Sequence, residues 1–258
     1  MWEAKYLMKA STIKSEKYFI FISFVILAAL WKLISFVIDS EIIFPSPEST
    51  IIRLYDLVIT RDFSLILLSS LTRGLIGFII SLLLGISFGF FSGFNRYFNR
   101  MFEPFLIIIR STPVMSIILI ALIWFRSTNV PIFASFLVSF PIICLNVTEG
   151  IKNIDIKLIQ MSKVYNIRRW RVAKEIYFPS ILPFLLAGLS TAAGIGWKAV
   201  IAAEVLSQPD FALGTSMQVS RIYLETESVF AWTIVAIIIS FFSERIIRRF
   251  EKLIVRWK

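Results

Sequence analysis

The chain has no histidine and one cysteine, Cys144. A disulfide framework within one chain is impossible, and a Cys/His metal site has no ligand set. Without histidine there is no H-E-x-x-H zinc motif, and no Ser-His pair to activate a nucleophile. No G-x-x-x-x-G-K-[ST] phosphate loop occurs, so nucleotide is not held in that way. Charge is scarce: 17% of the 258 residues are Asp, Glu, Lys or Arg, against 57% hydrophobic. With a mean hydropathy of +0.80, a soluble domain of this length could not hide its apolar surface. The bilayer is its natural solvent. One integral membrane domain is expected over residues 1–258, with no room for a soluble catalytic domain.

Three stretches of 22 residues carry no charge, at 74–95, 127–148 and 176–197. Each matches the ~20 residues that cross the hydrocarbon core. Three more spans are shorter or interrupted: 18–38 with Lys32, 104–125 with Arg110, and 228–247. Six transmembrane helices are therefore expected, in an all-α membrane fold. The first span follows lysines as a signal peptide would, but no A-x-A-like site comes after it. It is read as a retained helix, with Lys32 snorkelling near its outer end.

Lys and Arg set the orientation. With the N-terminus inside, the inner segments hold nineteen of the 27: Lys5, Lys9, Lys14, Lys17, Arg96, Arg100, Lys152, Lys157, Lys163, Arg168, Arg169, Arg171, Lys174, Arg245, Arg248, Arg249, Lys252, Arg256 and Lys258. The outer segments hold four: Arg53, Arg61, Arg126 and Arg221. Both ends are thus expected in the cytoplasm. The net charge of +10 then reflects positive-inside bias and contact with anionic lipid, and nucleic acid is not needed to explain it.

In the first outer loop, Pro45 and Pro47 deny helix, and Ser46 or Ser49 is placed to cap the next helix. Residues 51–60 should form a short amphipathic helix at the interface. The last outer loop, 205–227, is long for a simple connector. No internal repeat is visible, which speaks against carriers built from inverted repeats.

The segment at 150–176 should be helical but cannot span. Leu158, Ile159, Met161, Val164 and Tyr165 fall at helical spacing. Asn166 then breaks the run, and asparagine tolerates the left-handed turn better than other non-glycine residues. A second short helix is expected from about 168 to 176. Pro179 and Pro183 should end the segment and set the entry of the next span. Physics alone leaves two readings: a helix pair resting on lipid headgroups, or a docking site for a soluble partner.

This loop resembles the cytoplasmic EAA loop of binding-protein-dependent ABC importer permeases. Gln160-Met161-Ser162 stands in the E-A-A place, Asn166 in the place of glycine, and Pro179 and Pro183 match the proline pair. Gln160 removes the acidic residue that the family pattern carries, and any ion pair it makes. Other segments resemble the nitrate/sulfonate/taurine branch: Phe44-Pro45-Ser46-Pro47, Ser70-Leu71-Thr72-Arg73-Gly74, Glu103-Pro104-Phe105 through Arg110-Ser111-Thr112-Pro113, Gly196-Trp197-Lys198 with Ala202-Ala203-Glu204, and Ile222-Tyr223-Leu224-Glu225-Thr226. The resemblance implies a type I importer fold with its core at about 66–250. It implies a homodimer, two ABC ATPase subunits that bind ATP and Mg, and an extracytoplasmic solute-binding protein. No cofactor is expected on this chain. The implied coupling residues are Leu158, Gln160, Met161, Ser162, Val164, Tyr165, Asn166, Arg169 and Trp170. The implied solute is a small anion; a vitamin precursor, or an ATP-independent channel or carrier, stands as the alternative.

Charges inside spans are costly and often functional. For an anionic solute the pathway candidates are Arg73, Arg110, Ser111, Thr112, Trp197, Lys198 and Glu204. Snorkelling is the competing reading for Arg73 and Arg110, and helix packing for Ser111 and Thr112. Lys198 and Glu204 are six apart and do not face each other on a regular helix, so each needs a different partner. Gly77, Gly85, Gly89 and Gly93 form one stripe, and Gly188, Ala192 and Gly196 another; both read as packing faces.

Overall fold

A computed structural model describes residues 2–254, and the side chains of most of them. The expected inner lysines and arginines Lys5, Lys9, Lys14, Lys17, Lys252, Arg256 and Lys258 lie outside the described side chains. The regular structure of the described residues is all helix, with no strand among them. They divide into two compact units, residues 1–60 with 220–232, and residues 61–219 with 233–258.

In the smaller unit, helix α1 (Trp2–Ile38) and helix α2 (Pro47–Ile59) are joined by the expected proline turn. Ser46 caps α2, its hydroxyl accepting from the Ser49 amide at 3.1 Å. The Trp31 indole donates to the Pro45 carbonyl at 3.0 Å. Lys32 does not merely snorkel: it pairs with Glu48 at 2.8 Å. Arg53 of α2 holds Glu225 at 2.9 Å and the Ser228 hydroxyl at 2.7 Å.

The larger unit is built on α3 (Phe63–Phe94), α4 (Arg96–Ser111), α5 (Val114–Trp124), α6 (Val130–Lys152), α7 (Ile156–Val164), α8 (Arg169–Val172) and α9 (Phe178–Ser207). Helices α10 (Leu213–Ile222) and α11 (Thr226–Ile254) contribute residues to both units. Helix α6 lies at the centre of the larger unit, with α3 and α9 packed against it. Its buried positions include Ile143, Cys144 and Val147, all without exposed surface.

Small residues set this packing. A Cβ on Gly77 would meet Ser135 at 2.7 Å, on Gly85 Ile143 at 2.8 Å, on Gly89 Val147 at 2.7 Å, and on Gly93 Ile151 at 2.5 Å. Each α6 partner is numbered 58 above its glycine. A constant difference means that α3 and α6 run parallel and in register. On α9 the order inverts: Gly188 meets Asn146, and Gly196 meets Ser139. Rising numbers against falling ones make α9 antiparallel to α6. Both small-residue stripes are therefore packing faces, with α6 between them.

Parallel α3 and α6 also decide how α4 and α5 are counted. Among the described residues, five helices are long and apolar enough to span on their own, and α4 with α5 is a pair bent by 97°. The span expected over 104–125 is thus a bent pair of helices. Pro113 forces Thr112 out of the helical region, to φ −74° and ψ 128°. Since α6 starts at the end of the bundle where α3 starts, the bent pair must return the chain across it. Six crossings result, one of them broken.

A second correction concerns the entry to α9. Pro179 and Pro183 do not end the preceding segment. Residues 169–207 form one continuous helical span, with a π-turn at Ala173–Tyr177. There the Phe178 amide bonds the Ala173 carbonyl, five residues back. Pro179 follows directly on the π-turn, whose longer bond shifts the ladder where the proline lacks its N–H, and Pro183 is carried inside the helix.

Candidate functional site

The bundle carries a polar site at each end. Helix α3 runs from one to the other: from Arg73 to Gly93 is 20 residues, ~30 Å of helix, about the hydrocarbon thickness.

At the first end, Ser70 and Arg73 stand one turn apart on α3 and face Glu204 of α9. Glu204 is completely buried. Its Oε1 accepts from Arg73 Nη1 at 3.0 Å, and its Oε2 from the Ser70 hydroxyl at 2.9 Å and the Gly214 amide at 3.1 Å. Arg73 continues to the backbone carbonyls of Asp210 at 2.7 Å and Phe211 at 3.2 Å. Ser70 accepts from the Leu213 amide at 3.0 Å. One carboxylate and one guanidinium thus latch the loop between α9 and α10 onto α3. The loop turns through Gln208 and Phe211, both at left-handed φ, 44° and 46°. Gly214 has to be glycine, because a Cβ there would sit 2.5 Å from the Glu204 Cβ and 2.6 Å from the Ile201 carbonyl.

Arg73 therefore does not snorkel; its side chain is 9% exposed and ion-paired. Glu204 has the separate partner that its spacing from Lys198 demanded. Lys198 itself is exposed and makes no ion pair among the described residues. Trp197 is buried against Gly74, which has no room for a side chain, and its indole N–H has no partner among the described residues. Arg110 is exposed in the last turn of α4, beside the break. Ser111 is exposed, while the half-buried Thr112 spends its hydroxyl on the Ile108 carbonyl at 2.7 Å. Of the seven pathway candidates, only Arg73 and Glu204 are joined to each other by an ion pair.

The other end holds α7 and α8. Asp155 caps α7, accepting from the Lys157 amide at 2.9 Å. The helix closes on Asn166 at φ 49°. Its amide bonds the Lys163 carbonyl at 3.1 Å, and the Ile167 amide bonds the Ser162 carbonyl at 2.9 Å. That pair of bonds is the Schellman closure, made here by asparagine in place of glycine. The turn exposes Leu158, Met161, Val164, Tyr165 and Trp170; Val164 is 80% and Trp170 79% exposed. Gln160 is exposed too. Ile159 and Ser162 turn inward, and Ser162 is buried. Ser162, Asn166, Arg169 and Trp170 also line a cavity between α7, α8 and the adjoining ends of α3 and α9.

The chain contains one G-x-S-x-G, at residues 85–89. Ser87 lies within α3 and gives its hydroxyl to the Leu83 carbonyl at 2.8 Å. A nucleophile elbow needs a strand-to-helix turn and a histidine, and this serine has neither.

The fold is thus a helical membrane bundle with a broken span, and a capped helical turn presents apolar side chains at one end of it. Residues 81–256 match the model of the family described as binding-protein-dependent transport system inner membrane component. The chain belongs to that family: it is a multi-pass inner-membrane permease of an ABC importer, and not by itself an enzyme. A putative aliphatic sulfonates transport permease protein of Escherichia coli is 30% identical over 234 residues, covering 90% of this chain and 88% of that one. The taurine transport system permease protein of the same organism is 24% identical, with 90% and 86% covered. The nitrate import permease protein of Synechococcus elongatus is 26% identical, with 70% and 68% covered. Among solved structures, an inward-facing methionine ABC transporter superposes with a TM-score of 0.61 at 14% identity, covering 76% of this chain and all of that one. An amino acid ABC transporter gives 0.59 at 13% identity, with 71% and 89% covered.

Proposed function

We propose that this permease forms, as a homodimer, the path for a small anion of the sulfonate, taurine or nitrate kind. A solute-binding protein delivers the anion from outside. Two ATPase subunits, which hold the ATP and Mg, drive it from the cytoplasm. The observation that carries this reading is the exposed apolar face of Leu158, Met161, Val164 and Tyr165 on a helix capped at both ends. An interfacial helix pair resting on lipid would turn such residues into the bilayer and would need no fixed turn. Here the turn is fixed by Asp155 and Asn166, as a docking helix that transmits force requires. The relatives named for sulfonates, taurine and nitrate support the anion.

In this reading both chain ends, and the docking turn, lie in the cytoplasm. ATP-driven closure brings the two docking turns of the dimer together. The α3–α6–α9 block, close-packed through its glycines, moves with them as a rigid body, and the spans rock between outward and inward openings. Lys198 and Arg110, exposed and without an ion pair among the described residues, supply positive charge for the solute from within or beside spans.

The test is a mild-detergent pull-down of the tagged chain, combined with uptake assays on docking-turn variants. An ATPase and a solute-binding protein should co-purify. Replacing Tyr165 and Val164 by aspartate should abolish uptake while the protein stays inserted. A permease that purifies without an ATPase, and transports unchanged with those aspartates, would return the fold to a channel or carrier.

A further inference from the structure

Between the docking end of α3, the inner side of α7, and the α8–α9 entry lies a groove of about 1170 Å³. Its lining is largely apolar, with residues such as Phe90, Ile181 and Leu185. Three cations line it, Lys163, Arg169 and Lys174, and no acidic residue does. None of the three makes an ion pair among the described residues; the nearby Glu175 is taken by Arg171 at 3.4 Å. Sites for small solutes run to about 300–1,000 Å³. This groove exceeds that range, and a sulfonate-sized anion would leave most of its apolar lining uncovered. A largely apolar groove that also carries three cations, at the end of a membrane bundle, matches an amphiphile whose head is anionic. Basic pockets between spans on the cytoplasmic side take such headgroups.

We propose that the groove binds one anionic phospholipid, its acyl chain along Phe90, Ile181 and Leu185 and its phosphate on Lys163, Arg169 and Lys174. The lipid packs behind α7, on the side away from Val164 and Tyr165. It braces the docking turn from within, sharing Arg169 and Trp170 with it, and leaves Leu158, Val164 and Tyr165 free. The same three cations would attract free phosphate, but phosphate gives the apolar trough no role, so the lipid is the occupant. This assignment is independent of the transported solute.

The experiment uses the full chain in nanodiscs of phosphatidylcholine, doped with brominated phosphatidylglycerol or brominated phosphatidylcholine. Trp170 lines the groove, and the fluorescence lost in Trp170→Phe isolates its signal. Phosphatidylglycerol should quench Trp170 at about a hundredfold lower mole fraction than phosphatidylcholine, from about fivefold per cation. Lys163→Gln with Arg169→Gln and Lys174→Gln should erase that preference, and Lys163→Arg with Lys174→Arg should keep it. Ala173→Phe, which fills the groove without touching its charge, should weaken quenching by both lipids; an unchanged thermal transition separates this from misfolding. Equal quenching by the two lipids, a preference that survives the triple glutamine variant, or loss of the preference on adding inorganic phosphate would each overturn the proposal.

Discussion

Glu204 loses its water completely, yet both of its oxygens are engaged, by Arg73, Ser70 and the Gly214 amide. The cost of burying the carboxylate is offset by one full charge and two neutral donors. Taking away one partner leaves the other charge buried and unmet, which costs about 3–5 kcal/mol. Arg73→Ala should lower the unfolding midpoint in detergent accordingly, and Glu204→Ala equally. The double variant Arg73→Met with Glu204→Leu should recover most of the loss, because an apolar pair asks for no solvation. A melting-curve series on the four proteins checks this; if the double variant falls as far as the sum of the singles, the two residues are not a pair. The latch was only half legible in the sequence. Arg73 and Glu204 stood out as charges within apolar spans, but 131 residues separate them, and helical spacing rules reach only one turn. Lys32 and Glu48 are the exposed counterpart. The hydrogen bond from Lys32 holds the Glu48 carboxyl below its ordinary range. A lowered carboxylate contributes its stability above the ordinary pKa and loses it as pH falls through the lowered one. Lys32→Met should therefore flatten that small acid-side dependence of the melting temperature by lowering it slightly at neutral pH and leaving it unchanged at low pH.

Helices pack here by what their sequences omit. Gly77, Gly85, Gly89 and Gly93 repeat at one-turn and two-turn steps, and a stripe of that kind is local information. The packing faces of α3 and α9 were therefore readable without knowledge of the partner helix. Lipid supplies no hydrophobic force between helices, so the close approach itself holds α3 on α6. Gly89→Leu would drive its side chain into Val147 and the Cys144 carbonyl, both within 2.8 Å of where its Cβ would stand. It should destabilise by at least the roughly 1–3 kcal/mol of an overpacked core, seen as lost yield and a lower melting temperature. The turn at Asn166 was legible for the same local reason, since asparagine tolerates left-handed φ. Asn166→Gly should keep uptake, while Asn166→Val, whose branched side chain is strained at φ 49°, should reduce uptake several-fold at normal membrane abundance. Equal uptake by the two variants would detach the turn from coupling. The break at Thr112–Pro113 was visible as a proline but not as a 97° bend, because a proline sets which bond is lost and not how the freed halves pack. The π-turn before Pro179 left no mark in the composition at all.

At the scale of the larger unit, the docking turn and the latch stand at opposite ends of one close-packed block. A continuous helix runs from Arg169, just past the docking turn, to Ser207, and it carries both Lys198 and Glu204. The block fixes Glu204 in the latch and leaves Lys198 outside it, exposed on the same helix one and a half turns earlier. Those two charges, alike in the sequence, thus have different roles open to them: one holds the fold and the other is free to meet a solute. An unpaired lysine on a span is expensive unless it faces water or an anion. Lys198→Met should therefore raise the KM for uptake of the transported anion by about tenfold, the value of roughly 1.4 kcal/mol of lost attraction, with unchanged abundance and melting temperature. Lys198→Arg should retain most of the uptake, since it keeps the charge on a long stem. Arg73→Ala, by contrast, should lower stability and uptake together. Uptake kinetics measured beside melting curves separate the two, and a Lys198→Met permease with wild-type KM would take Lys198 off the path and leave it anchored at the lipid headgroups.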